Sequence, residues 1–363
     1  MPLKIGKLKM GQPTSQLPKK GPYPSPFTTT GLVPSIKVDV PISAVFLALF
    51  IVSAATNMTI FQINKRRSHK FLFSGLLFGF SMARITTLVM RIVWANYPRN
   101  ANIALAANIF VAAGVLLLFL LNLIFAQRIV RSYHPRFGWN RAVGAAWKAV
   151  YFSVLALLIM VIITNVHSSF TLDVPTKMRE RDVLRFAVVY LAVLAFLPIP
   201  IVVAAVLWPR PAGQKLDKFG QGRMRTKVRL LLFTSALLSL GAWFRAATTF
   251  VPRLASEPVA WYHSRPAFYC FNFVVELLVV FTYVVSRFDK RFHVPDGSDG
   301  PGSYGKGGIA GAVNDEEESD NQNYTGRHVN RSRASPAWQI ANHVDFASNT
   351  TQGACASETG DTL

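Results

Sequence analysis

Cysteine is nearly absent, and acid is scarce. Cys270 and Cys355 are the only two thiols, too few for a disulfide framework. Eighteen Asp and Glu face 39 Lys and Arg across 363 residues, for a formal net charge of +21. The seven histidines (His69, His134, His167, His263, His293, His328, His343) include no pair at i, i+3 or i, i+4, so no helix offers two ligands to a zinc ion. Residues 1–39 have no apolar core of the kind a cleavable signal requires, and their Pro, Lys and Thr content predicts disorder.

Long apolar runs, by contrast, are abundant. Seven stretches of about twenty residues each suffice to cross a hydrocarbon core of roughly 30 Å as a helix. They are Val40–Ile63, Phe71–Val93, Ala101–Ala126, Val143–Ile163, Leu184–Trp208, Leu230–Phe250 and Pro266–Ser286. Lipid leaves no partner for open backbone groups, so the expected fold is all-α: a polytopic seven-helix bundle over residues 40–294. Its first span would serve as a signal anchor. Residues 295–363, rich in Gly, Ser, Asn and Asp, are expected to form a disordered cytoplasmic tail.

Lys and Arg in the short loops set the expected orientation. Loops 64–70, 127–142 and 209–229 carry fifteen between them, against six in the alternate loops. The basic side should be cytoplasmic, with the N-terminus outside, in the plasma membrane or another endomembrane. Six Lys in residues 1–39 and three sequons, at Asn323, Asn330 and Asn349, pull the other way. Only Lys37 lies close to a span, however, and three-residue sequons arise readily by chance. The basic loop at Lys215, Lys218, Arg223, Arg225, Lys227 and Arg229 is expected to hold anionic lipid, or a cytosolic protein, at the inner surface. No nucleic-acid partner is expected.

Several chemistries lack their residues. No histidine falls inside the seven runs, and the seventh has no Lys for a Schiff base. The tail sequence Gly300-Pro-Gly-Ser-Tyr-Gly-Lys306 approaches a phosphate-binding loop, but Gly307 stands where Ser or Thr is needed and no strand precedes it. No nucleophile–base set occurs within the spans. The expectation is a non-enzymatic protein without cofactor or metal.

Charges inside the runs are the unusual feature, because ionisable groups at membrane depth are costly and mark function by default. Arg84 and Arg91 lie seven residues apart on the second span; Arg245 is in the sixth and Glu276 in the seventh. Counting from the outer end, Arg84 lies about 13 Å deep and Glu276 about 15 Å, which predicts a pair. That pair reads either as an interhelical strut or as part of a ligand or ion pathway. Arg91 and Arg245 are expected nearer water, leaving the outer half positive and suited to a phosphate or carboxylate. Gly75, Gly79 and Ala83 recur every fourth residue, as a close helix contact would require. Pro198 and Pro200 predict a kink that bares carbonyls near Leu194 and Phe196.

The stretches Ile60–Asn64, His69–Phe71, Phe78–Arg84 and Arg91–Trp94, with Asn122–Arg128, His134-Pro135 and Gly138-Trp139, resemble a family of fungal seven-helix membrane proteins of unknown function. The resemblance spans roughly 40–294 and implies topology without an activity. A fainter likeness is to fungal RTA-type lipid-translocating proteins. Receptors of the G-protein-coupled kind are similar in layout alone: Gln127-Arg128 replaces an acid–Arg pair, and the sixth and seventh spans lack their usual proline motifs. The expected function is receptor-like or sensory; the alternative is a lipid or small-amphiphile translocator.

Overall fold

A computed structural model describes residues 21–23, 30–66, 71–209, 216–251, 258, 260–295 and 298–304. The chain separates into two units, Met1–Asn314 and Asp315–Leu363, and every described residue lies in the first. The sequons, Cys355, Lys215 and the acidic run 315–318 are outside the described residues.

Helices alone make up the regular structure among the described residues: α1 Asp39–Arg66, α2 Leu72–Asn96, α3 Ala101–Gly114, α4 Leu116–Tyr133, α5 Pro135–Gly138, α6 Arg141–Phe170, α7 Val174–Phe196, α8 Pro198–Leu207, α9 Met224–Phe250, α10 Arg265–Tyr269, α11 Val275–Val285 and α12 Phe288–Arg291. A π-helix, Cys270–Val274, joins α10 to α11. Seven helical spans are long and apolar enough to cross a membrane. The third is α3 with α4, the fifth α7 with α8, and the seventh α10, the π-turn and α11.

Polar caps fix where these helices begin. Asn100 accepts hydrogen bonds from the Asn102 and Ile103 N–H groups, Asn140 from Ala142, Asp173 from Thr176 and Ser264 from Ala267. Each occupies otherwise orphaned donors of a first turn. Several helices outrun their apolar runs, because a charged turn stays helical once its apolar neighbour is. The fourth span reaches Phe170, so His167 lies within it and hydrogen-bonds Glu180. This corrects the expectation that every histidine falls outside the spans.

The third span is the hub. Its apolar window is 56% buried, against 17% in the fourth, and α4 packs against α2, α6, α7, α8 and α9. The fourth span instead exposes Phe152, Leu155, Ile159 and Ile163, the surface a hydrocarbon solvent would meet. On α2 the buried positions Leu77, Ser81, Arg84, Leu88 and Arg91 form one stripe at helical spacing. The small-residue stripe is displaced from it. A Cβ on Gly79 would meet nothing within 4 Å, so that position is not the close contact expected of it.

The end carrying the basic loops is closed by aromatic packing. Phe125 stacks on Phe292 with centroids 4.1 Å apart, and Tyr304 meets Trp139 and Phe219 at 5.8 and 5.6 Å. Asp217 ties this end together: its carbonyl accepts from Ser132 Oγ and its carboxylate from the Gly302 N–H. Burial pushes the Tyr304 hydroxyl above its ordinary pKa. Tyr304 is thus seated against the bundle, past the expected tail boundary at 295. At the other end, Gly31 and Pro34 are buried against the bundle, and Asp39 opens α1 instead of closing a disordered tail.

Candidate functional site

Two charged centres lie between the second and seventh spans, one helical heptad apart. They share a plan: one carboxylate between two guanidiniums.

In the deeper centre, Arg84 Nε is 2.5 Å from Glu276 Oε2 and its Nη2 is 2.6 Å from Oε1, a bidentate pair. Arg245 Nη2 approaches the same Oε1 at 2.6 Å, and its Nε donates to Asn272 Oδ1 at 2.6 Å. Arg84 and Glu276 are 0% and 1% exposed, and Arg245 is 20% exposed. The structure therefore brings Arg84, Glu276 and Arg245 together, and binds the second, sixth and seventh spans through one carboxylate.

Backbone irregularity prepares this centre. The third span breaks at Val115, whose N–H turns back to Ala113 O instead of continuing the helical ladder to Val111. The freed Val111 carbonyl accepts from Arg84 Nη1 at 3.1 Å. Gly114 lets the guanidinium pass: a Cβ there would stand 3.0 Å from Arg84 Cζ. In the seventh span, the π-turn carries Asn272 and ends at Val274, two residues before Glu276. Such widened turns recur at functional sites, and backbone departures at membrane depth persist where protein covers them.

In the second centre Arg91 Nη2 is 2.9 Å from Asp39 Oδ1 and 2.8 Å from the Gly31 carbonyl, while its Nε donates to the Tyr269 hydroxyl at 3.0 Å. Arg265 Nε lies 2.8 Å from Asp39 Oδ2, an ion pair without hydrogen-bond alignment. Tyr269 also reaches Ser43 at 2.9 Å and Asp39 Oδ1 at 3.0 Å. Arg91 Cζ sits 4.2 Å from the Phe268 ring centroid.

This arrangement corrects the expected site. Arg91 is 4% exposed and has its own carboxylate, so it is not a water-facing contact for an anionic ligand. Its partner Asp39, and also Tyr269, Arg265 and Asn272, were not legible as site residues. A signal for Asp39 existed: it is the only acid in the first 172 residues, so a second buried arginine in that half, once Arg84 is given to Glu276, has one nearby carboxylate to find.

The basic loop is also revised. Lys227 is fully buried, donates to the Phe219 carbonyl, and lies 4.7 Å from the Phe219 ring centroid. It braces the loop and cannot face a lipid surface. Arg223, Arg225 and Arg229 are exposed, and Lys218 is half-buried. At the proline kink, α7 ends at Phe196 and α8 starts at Pro198.

The fold and these centres define a seven-helix, multi-pass membrane protein with a charged interior. Residues 218–293 match the model of a family described as protein of unknown function (DUF3112), covering the sixth and seventh spans with Arg245 and Glu276. No curated protein and no solved structure matches the chain.

Proposed function

We propose that this is a receptor-like or sensory membrane protein without enzymatic activity, whose interior ion network sets the relative position of its spans. The observation that carries the reading is the sharing of Glu276 by guanidiniums from two other spans. Arg245 is 20% exposed and can leave the carboxylate for water while the buried Arg84 keeps its bidentate hold, so the interior has more than one charge-satisfied arrangement, the property a switching element needs. Isolated polar struts need no such redundancy.

The test uses spin labels at Phe137→Cys and Arg225→Cys, with Cys270 and Cys355 changed to Ser. Glu276→Gln should add a second distance population at the basic-loop end; Arg245→Gln serves if that variant does not fold. An unchanged distribution in monodisperse protein would make the network a strut and overturn the switch.

The basic-loop end is proposed to face the cytoplasm, in the plasma membrane or another endomembrane. Arg223, Arg225 and Arg229 would there meet anionic lipid or a cytosolic protein. Endoglycosidase-sensitive mass at Asn323, Asn330 or Asn349 would refute that orientation.

Lipid or small-amphiphile translocation is the second reading. It is favoured by an apolar slot of about 220 Å³ among the third, fourth, fifth and sixth spans. Acceleration of fluorescent phospholipid flip-flop in reconstituted vesicles would support it; an unchanged rate would remove it.

A further inference from the structure

We infer that this slot binds the acyl chain of an anionic amphiphile whose carboxylate or phosphate is held at Arg185. Its deep walls are Ala112 and Leu116 of the third span, Leu157 and Val161 of the fourth, and Leu191 of the fifth. The volume exceeds the roughly 150 Å³ at which an apolar cavity already binds benzene. It lies below the range typical of drug-sized sites, room for part of a single acyl chain whose remainder extends into the lipid. Exposed Ile159 and Ile163 on the fourth span and Phe186 on the fifth flank it, so the surrounding solvent is hydrocarbon.

The polarity of the slot is that of an amphiphile. The third and fifth spans start from the end where Asn100 and Asp173 cap them, and the fourth and sixth run toward it. Asn165, Leu184 and Thr249 therefore line the same end, the mouth of the slot. Arg185 follows Leu184, and its guanidinium lies 5.6 Å from the ring centroid of Phe250, the neighbour of Thr249. Its Nε is buried and has no hydrogen-bond partner among the described residues. A buried, unsatisfied donor on a cation costs free energy that an anionic headgroup would recover. Its carboxylate partner among the described residues, Asp182, is 71% exposed, so the pair is screened and leaves the cation able to take a second anion.

The site deepens the translocation reading by naming the substrate class, but it rests on the slot and not on transport. The purified full chain in nanodiscs is exposed to three chain-labelled diazirine probes: a long-chain fatty acid, an anionic phospholipid and a phosphocholine lipid. Label should concentrate on the slot walls, Leu157–Asn165 and Leu184–Leu191, for an anionic probe. Which anionic probe labels more strongly identifies the source of the headgroup. Arg185→Gln should weaken competition by unlabelled anionic lipid about tenfold, the worth of one charge-assisted contact. Ala113→Phe, or Val161→Trp from the opposite wall if the first does not fold, should reduce slot label to the level of lipid-facing Phe152. Equal labelling by the phosphocholine probe, or label indifferent to both the Arg185 and the slot-filling changes, overturns the proposal. Flip-flop activity without slot labelling would sink this site and leave translocation standing; slot labelling without flip-flop would do the reverse.

Discussion

The two charged centres between the second and seventh spans are built alike and differ in what surrounds them. Glu276 sits between Arg84 and Arg245 within the helical bundle, the first two supplied by the middle of spans and Arg245 by the last turns of the sixth. Asp39 sits between Arg91 and Arg265 where three helices begin or end, and the Gly31 carbonyl completes its shell. Arg84 and Arg91 are a heptad apart on one helix, and Glu276 and Tyr269 a heptad apart on its antiparallel neighbour, so the tiers share one face. The deeper centre leaves 20% of Arg245 exposed, the shallower one 31% of Arg265. Equal chemistry should therefore carry unequal cost.

Glu276→Gln is the strongest test of that inequality. It strands two guanidiniums, one of them fully buried, and should lower stability by about 3–5 kcal/mol in thermal unfolding of the detergent-solubilised protein. Adding Arg84→Gln should recover part of the loss. Recovery stays incomplete because Arg245 would still face a neutral amide where the carboxylate had been. Strict additivity of the two changes would mean that the pair contributes nothing as a pair.

Asp39→Asn should cost less, roughly 2 kcal/mol, because Arg265 reaches water and Arg91 keeps Tyr269 and the Gly31 carbonyl. A loss equal to that of Glu276→Gln would erase the distinction between the tiers. The smallest effect is expected at Gly31, which has φ +84° and whose added Cβ would stand 2.4 Å from Phe268. Gly31→Ala should cost about 1–2 kcal/mol of strain and shift unfolding only in protein with Asp39 intact. If the same shift persists in the Asp39→Asn background, residues 30–38 are seated independently of the second centre.

These centres also differ in how far the sequence revealed them. Arg84 and Glu276 stand in the middle of apolar runs, where depth is a count of residues, and two charges at equal depth have few alternative partners. Asp39 stands one residue before an apolar run, where composition alone cannot separate a helix's first turn from a tail. Arg245 was visible as an intramembrane cation but not as the second ligand of Glu276. Its reach depends on the rotation of the sixth span against the seventh, and the π-turn at Cys270–Val274 alters that rotation without any mark in hydropathy. Lys227 misled for a related reason: as one of seven basic residues it reads as surface charge, yet the loop at Phe219 folds over it.

The sequence by itself determined the class: apolar runs of bilayer length leave helices as the solution, because each backbone group must be satisfied within its own segment. It also determined which charges would have to be buried. Only tertiary structure decided the partners, through two backbone departures at Val115 and Cys270–Val274 and through the docking of Gly31 and Asp39. Periodicity assumes a regular helix, and a side chain's partner is set by helix rotation, which a single break or widened turn resets.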